Sequence, residues 1–250
     1  MQEAEVDARR CDRLIRGLNN ADYITTTSKF VADYLSKKYG VDKEKIWVFP
    51  WGHKRCHFYD RGDTSKAIMS AFGVPEDKKV LLSARVCKPQ NNIDKIIDAF
   101  DNNISTYLVV LTGNNNDNKY RDYNISRAAN KQILFLPTLS EKELSLLYNR
   151  ATATISIPDV DQLSTTIIES MACGTPVIGS DIDAYRERIV HGNNGLLVDP
   201  NDTNELRKAM RSSVEEQDFK LNMKDAVKDA VKNDAWEDNA RYMLNLYDRP

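Results

Sequence analysis

The 250-residue chain is predicted to be a doubly wound α/β protein, a parallel sheet covered by helices on both faces, with a fragment of a second domain at its amino end. Three observations carry the expectation. Runs at 79–84 (KVLLSA), 106–113 (TYLVVLTG), 132–137 (QILFLP) and 152–157 (TATISI) have the length of strands, and the first two are almost continuously apolar, as strands buried on both faces are. Segments of helical period stand between such runs. Strands alternating with helices build parallel sheets through crossovers.

Taken in order, Val6, Leu14, Ile15 and Leu18 recur at helical spacing over 3–18, and the β-branched, aromatic run 21–28 is a short strand. Ser28 caps a helix carrying Phe30, Val31, Tyr34 and Leu35 that ends at Gly40. A strand at 45–50 stops at Pro50, and an irregular stretch around His53 leads to a helix at 63–72. Beyond the strand at 79–84, Ile93, Ile96, Ile97 and Phe100 mark one side of a helix at 93–100. After the strands at 106–113 and 132–137, a helix at 141–151 precedes the strand at 152–157. An amphipathic helix carrying Leu163, Ile167, Ile168, Met171 and Ala172 follows. Then come a strand at 175–181, a short helix near 185–190, a strand at 195–200, and helices at 202–214, 217–232 and 236–247. Residues 1–45 hold too few strands to close a sheet alone and read as the tail of another domain. The boundaries expected are 1–45 for that fragment and hinge, 46–232 for the main domain and 233–250 for a C-terminal helix.

Composition narrows the function. With 41% hydrophobic residues and a net charge of −2 from 35 basic and 37 acidic residues, the chain has material for a core and no global field to attract nucleic acid or an anionic membrane. The basic runs at Arg9-Arg10 and Lys37-Lys38 read as solvated helix faces. Cys11, Cys56, Cys87 and Cys173 form no CxxC pair and suit a reducing compartment. The glycosylation tripeptides at Asn103 and Asn124 are discounted because the charged amino terminus cannot serve as a signal peptide. No run approaches the 18 apolar residues of a membrane span. The expectation is a cytoplasmic protein.

Several motifs are missing. None of the ten glycines falls in a GxGxxG or GxxxxGK[ST] arrangement, and neither a GxSxG elbow nor HExxH occurs. What remains is a pair of acids, Asp161 and Glu169, eight residues apart. If both stand on one helix, they are separated by roughly 12 Å of rise and about 80° around the axis. That is too far for acid–base work across one glycosidic bond, where carboxylates stand about 5 to 9.5 Å apart. It suits two acids gripping different parts of one elongated ligand. The alternative is structural: Thr166 and Glu169 match a capping box, with Ser164 or Asp161 as the other candidate caps. Asp159 and Asp161 also form a D-x-D, as do Asp181 and Asp183, a pattern that can hold a divalent cation against a diphosphate. Arg85 and Lys88 follow a buried strand with no acid between them and suit a diphosphate, Arg bidentately and Lys as a point charge. The helix start at Ser164–Thr166 offers free N–H groups and a positive dipole end. His53 reads as a structural hinge residue and His191 as a turn residue.

Together these blocks resemble one family. ADYITTTSKFVADYL, KIWVFPWGHKRCHF, VLLSARVCKPQNNIDKIIDAF, DQLSTTIIESMACGTPVIGSD and HGNNGLLVDPND, in that order, are similar to the carboxyl-terminal, Rossmann-like domain of retaining GT-B glycosyltransferases of family GT4. ESMACGTPVIGS and HGNNGLLV are the most specific stretches. The resemblance implies that 46–232 binds the nucleotide-sugar donor, that 233–250 crosses back to the amino-terminal domain, no metal or other cofactor, and transfer to a glycan or glycolipid. Glu169 would bind the ribose hydroxyls and Asp161 the transferred sugar. Arg85, with Lys88 as the nearest substitute for a second cation, would neutralise the diphosphate. The family places a lysine five residues after the arginine, which falls at Gln90 or, with a one-residue shift, at Asn91. Backbone N–H groups of Gln162, Leu163, Ser164 and Thr165 would face the phosphates, Gly113 would end the second strand beside the donor, and Pro137–Leu139 would meet the base. The resemblance further implies a missing amino-terminal domain, supplied by the same polypeptide, a partner subunit or a second copy, and covering residues 1–45. A lipid-linked acceptor would bring the protein to the inner face of the membrane. Two alternatives stand beside this reading: a catalytically inactive subunit of the same fold, and a metal-dependent D-x-D transferase.

Overall fold

The computed structural model describes residues 2–49, 51–62, 70–102, 105–113 and 118–247. Contacts divide the chain into two compact units, Met1–Pro50 and Trp51–Pro250. The helix expected at 63–72 falls mostly outside the described residues, as does Asn103 of the first glycosylation tripeptide.

The first unit contains α1 (Gln2–Asn20), β1 (Ile24–Thr26), α2 (Lys29–Tyr39) and β2 (Ile46–Val48). Its two strands pair in parallel, Ile24 opposite Ile46. Ser28 Oγ accepts the Val31 N–H at 3.3 Å at the head of α2. Gly40 ends that helix at φ 67°, a left-handed turn where a Cβ would be strained.

In the second unit, β3 (Lys79–Ser83), β4 (Thr106–Leu111), β5 (Ile133–Leu136), β6 (Ala153–Ser156), β7 (Val177–Ser180) and β8 (Gly195–Val198) form one sheet in the order β5-β4-β3-β6-β7-β8. Every pairing is parallel. The chain winds outward from β3 to one edge, returns to β6 and winds to the other, so the strand order reverses between β3 and β6. Around the sheet lie α3 (Ile93–Ala99), α4 (Asn118–Arg127), α5 (Glu141–Arg150), α6 (Thr165–Ala172), α7 (Asp183–Arg186), α8 (Thr203–Glu215), α9 (Phe219–Ala230) and α10 (Trp236–Tyr247).

Alternation along the central strands accounts for their apolar runs. Leu81, Leu108 and Val110 belong to one core cluster with Ile93, Ile97 and Ile167. Their neighbours Val80, Leu82, Val109 and Leu111 belong to a second cluster with Phe58, Leu147 and Tyr148. Successive side chains point to opposite faces, and both faces are dry, so neither can be polar.

Two expectations need correction. Helix α4 has no place in the sequence reading because NKYRDYNISR carries almost no apolar stripe. It is held instead by polar contacts: Tyr120 OH donates to Asp94 Oδ1 at 2.7 Å and accepts the Asp94 N–H at 3.2 Å. Asn124 of the second glycosylation tripeptide is wholly buried within it. Helix α7 lies at Asp183–Arg186 rather than near 185–190, and Ile189 beyond it packs into the first core.

His53 is structural, as expected. Its N–H donates to the Asp234 carbonyl at 2.9 Å and its carbonyl accepts the Trp236 N–H at 3.0 Å. Its ring Nδ1 lies 2.9 Å from the same Asp234 oxygen, and burial lowers the imidazole pKa. Trp51 and Trp236 meet edge to face at 5.7 Å. Between them, Gly52 leaves no room, since a Cβ there would stand 2.5 Å from the Trp236 nitrogen and 2.8 Å from its Cα. Gly52→Ala is therefore expected to lower stability by about 1–3 kcal/mol through overpacking, read as a fall in the urea midpoint at unchanged slope.

Candidate functional site

In open parallel sheets ligands bind beyond the carboxyl ends of the strands where the order reverses. Here the chain segments leaving β3 and β6 meet at that point. The first carries Arg85 and the second carries Asp161 and Ser164.

Arg85 joins them. Its Nη2 forms an ion pair with Asp161 Oδ2 at 3.0 Å, with both side chains about one-fifth exposed. Its Nη1 donates to Ser164 Oγ. Asn91 Oδ1 accepts from Arg85 Nε at 3.1 Å and Nη2 at 2.9 Å, while Asn91 Nδ2 donates to the Val86 carbonyl at 2.8 Å. The guanidinium is thereby fixed in plane. Ser164 caps α6, its Oγ accepting the Thr166 N–H at 3.2 Å, and Thr165 opens the helix. A cation thus lies against the positive end of a helix, which is an arrangement that takes an anion.

Asp161 does not stand on α6. It lies in the loop before the cap, so the 12 Å rise and 80° angle expected between the two acids do not apply. Its Oδ1 accepts the Gln162 N–H at 2.9 Å, which withdraws one of the amides expected to face phosphate. Its Oδ2 accepts from Tyr185 OH at 2.9 Å, and Tyr185 OH lies 2.9 Å from Ser156 Oγ.

Glu169 is on α6, one turn beyond the cap, and the capping-box reading fails because Ser164, not Thr166, is the N-cap. Tyr148 OH donates to Glu169 Oε2 at 3.2 Å. Burial pushes the Glu169 carboxyl up to about 7, opposed by the Tyr148 hydrogen bond and the Lys54 charge and reinforced by Glu141. Nearby, Glu141 is held by Lys54 at 2.7 Å and by His57 Nδ1 at 2.5 Å.

The other expected residues are placed less closely. The Lys88 side chain makes no hydrogen bond or ion pair among the described residues, and its backbone opens a 3-10 turn at Pro89–Asn91. Of the two positions for the absent lysine, Gln90 is exposed and Asn91 is buried against Arg85. Gly113 follows β4 at φ 69°, and a Cβ there would stand 2.6 Å from Val86 Cγ1, so this turn fits only glycine beside the Arg85 loop. Pro137 and Leu139 follow β5 on the same edge of the sheet, two strands from β3. Pro137 is exposed, and Leu139 packs on the second core.

The acids of both D-x-D pairs are already engaged by the chain's own side chains. Asp159 accepts from Asn92 Nδ2 and Lys95 Nζ, both at 3.0 Å, whereas Asp161 faces Arg85. Asp181 and Asp183 both pair with Arg186. Among the described residues no three His, Cys, Asp or Glu side chains are grouped to hold a metal ion.

A cavity of about 670 Å³ opens at the opposite end of the strands, lined by Lys79, Arg150, Lys220 and Lys224 among others. Its cations are engaged. Lys220 Nζ donates to the carbonyls of Asn149 and Ala151 at the end of α5, the latter at 2.9 Å. Arg150 and Lys79 likewise bond backbone carbonyls, and Lys224 pairs with Asp60 at 2.7 Å. Lys220 and Lys79 thereby neutralise the carboxyl ends of α5 and α8, and Arg150 bonds the loop carbonyls of Glu76 and Lys78.

Sequence reasoning did not find Tyr148, Tyr185, Ser156 or the ligation of Arg85 by Asn91. Both tyrosines sit at core-facing positions, where an aromatic ring is ordinary, and only the partner of the hydroxyl sets them apart.

A doubly wound domain with a fixed cation and helix start at its switch point, and acids on either side, belongs to the nucleotide-binding class of α/β folds. Residues 64–230 match the family described as glycosyl transferases group 1, and the chain belongs to it. It is 27% identical over 195 residues to the D-inositol 3-phosphate glycosyltransferase of Acidothermus cellulolyticus, covering 73% of this chain and 43% of that protein. It is 27% identical over 193 residues to the O-antigen chain mannosyltransferase RfbU of Salmonella typhimurium, covering 76% and 50%. The fold is shared with sucrose-phosphate synthase of Thermosynechococcus elongatus (TM-score 0.82, 22% identity, 93% of this chain and 59% of that one). It is shared equally with HepE of Anabaena, solved with UDP-glucose (TM-score 0.82, 16% identity, 94% and 66%). The chain spans about half the length of the curated relatives it matches. Among the described residues no helix is long and apolar enough to cross a membrane.

The raised pKa of Glu169 has a signed consequence. A carboxyl whose pKa goes from about 4.5 unfolded to about 7 folded keeps its proton longer in the native state. Stability should therefore fall as pH rises between those two values and level off above them, by no more than about 3 kcal/mol from this group. Urea denaturation at about pH 5 and pH 8 measures it, and in Glu169→Gln this part of the slope should vanish.

Proposed function

We propose that the chain is the donor-binding half of a retaining, metal-independent glycosyltransferase using a UDP- or GDP-sugar. The observation that carries this is the fixing of Arg85 between Asp161, Asn91 and the capping Ser164 of α6 at the switch point of the sheet. When the bond from the anomeric carbon to the diphosphate oxygen breaks, the electron pair leaves with the diphosphate. Arg85, the N–H groups at the start of α6 and the uncommitted Lys88 would stabilise that charge, an electrostatic contribution of the oxyanion-hole kind. Asp161 would meet the sugar hydroxyls and Glu169 the ribose hydroxyls. Gly113 would border the donor, and the Pro137–Leu139 backbone would meet the base. The UDP-glucose bound by HepE supports a nucleotide-sugar donor, and the O-antigen transferase relative supports a glycan acceptor in polysaccharide biosynthesis. An acceptor carried on a lipid would bring the protein to the inner face of the membrane. The 1–45 segment and the closing helix at 233–250 would join an amino-terminal acceptor domain, from the same polypeptide, a partner or a second copy. A catalytically inactive subunit is favoured by one observation, that both positions at which the family's second cation could fall, the exposed Gln90 and the buried Asn91, carry amides.

Calorimetric titration with UDP, GDP and ADP tests the donor site. Glu169→Ala is expected to weaken nucleotide binding by roughly 1–3 kcal/mol, the loss of a charge-assisted hydrogen bond. Binding that Glu169→Ala leaves intact, or no binding at all, would overturn the reading. EDTA should leave the affinity unchanged. Loss of binding in EDTA with restoration by Mn²⁺ would favour a metal-bridged diphosphate instead.

A further inference from the structure

We propose that Tyr148 and Tyr185 are positioning residues, each seating one of the two acids of the donor site, Tyr148 for Glu169 and Tyr185 for Asp161. The proposal rests on the donor-site reading and adds to it the groups that hold its acids in place.

Both rings are fully buried at 0% exposure, and a buried phenol needs a partner for its hydroxyl. In each case that partner is an acid of the site. Tyr148 projects from α5 into the second core, in contact with Phe58 at 6.1 Å between ring centroids, and its OH ends on Glu169 Oε2. Among the described residues this is the one hydrogen bond the Glu169 carboxylate receives. A glutamate held by nothing at the edge of a site spreads over its rotamers and costs binding energy to order.

Tyr185 serves Asp161 through a directed chain. Its OH donates to Asp161 Oδ2, which leaves Ser156 Oγ as the donor to Tyr185. Ser156 is the last residue of β6 and is itself fully buried, so the chain runs from the sheet to the loop acid. Beside it Val160 is 85% exposed, so no apolar packing from that neighbour fixes Asp161. Asp161 is gripped from two sides, by Arg85 from the β3 loop and by Tyr185 from the core. When a diphosphate draws on Arg85, Tyr185 keeps the carboxylate where it was.

The charged groups acting on Glu169 are Lys54 and Glu141, with the latter also held by His57. The nearby Cys173 thiol is pushed up to about 12 by burial and stays neutral. Tyr148 is thus the neutral donor that favours the ionised Glu169 able to accept from ribose hydroxyls, and removing it should move that ionisation to higher pH.

The test is calorimetric titration of the full chain, wild type, Tyr148→Phe and Tyr185→Phe, with UDP and UDP-glucose and with GDP and GDP-mannose, between about pH 6 and pH 8.5. Tyr148→Phe should weaken nucleotide and nucleotide sugar by the same factor, roughly tenfold at pH 7. Its binding midpoint should move alkaline by about one pH unit. Tyr185→Phe should leave the free nucleotide within about twofold of wild type and weaken the nucleotide sugar about five- to tenfold. Melting temperatures monitor folding. If both variants bind all ligands as wild type does, or lose them in parallel with melting temperature at an unmoved pH midpoint, the tyrosines only fill the core and the proposal fails. If Glu169→Ala weakens binding while Tyr148→Phe does not, the proposal falls and the donor site stands. If wild type binds no nucleotide, both fall.

Discussion

The geometry at the switch point depends on one guanidinium. Arg85 spans the gap between the loops that leave β3 and β6, and each of its nitrogens is assigned: Nε and Nη2 to Asn91, Nη1 to Ser164, and Nη2 also to Asp161. A lysine could not do this, because a point charge with three rotatable donors does not fix a plane. The consequence is a preformed positive site. The helix α6 begins where the guanidinium points, and the backbone dipole and the fixed charge add at the same place. Asp161 balances that charge in the free protein, and an arriving diphosphate would have to draw the cation toward itself.

The energetics around the acids are asymmetric. Asp161 is paired, hydrogen-bonded by its own loop and backed by a phenol, whereas Glu169 relies on one phenol and sits in a desolvated place that favours its neutral form. Such an arrangement lowers native stability near neutral pH and leaves an acid ready to accept hydrogen bonds, the usual trade at functional sites. The far end of the sheet shows the opposite pattern. There, the cations are engaged by backbone carbonyls and by Asp60, so the cavity lined by lysines is explained by the chain's own needs.

Much of the fold was legible because burial on both faces writes itself into sequence. Val80, Leu81 and Leu82 cannot be polar in a sheet with a dry core on each side, and strand positions follow. Ser28 and Gly40 fixed the ends of α2 through their caps. Helix α4 was not legible because tyrosine and asparagine hydroxyl and amide contacts hold it, and these leave no periodic stripe. As candidates, Arg85, Asp161, Ser164 and Glu169 were legible from their place after strands and their spacing. The contacts by which Arg85 joins Asp161 to Ser164, and the Tyr148 contact of Glu169, were not. Ser164 and Asp161 were both candidate caps, and only the hydrogen bond from the Thr166 N–H to Ser164 Oγ decides between them and leaves Asp161 in the loop. Tyr148, Tyr185 and Asn91 were silent for a related reason, since what distinguishes each is a contact 6 to 24 residues away along the chain.

Arg85 with the start of α6 is the anion-binding centre of the proposed donor site. Nuclear magnetic resonance of the arginine Nε–H groups and backbone amides during titration with UDP tests it most directly. The Arg85 Nε–H and the amides of Thr165 and Thr166 should shift together and saturate at one concentration, while Lys220 and its neighbours at the far cavity stay fixed. Saturable shifts confined to Lys220, Lys224 and Arg150, with Arg85 unmoved, would contradict it.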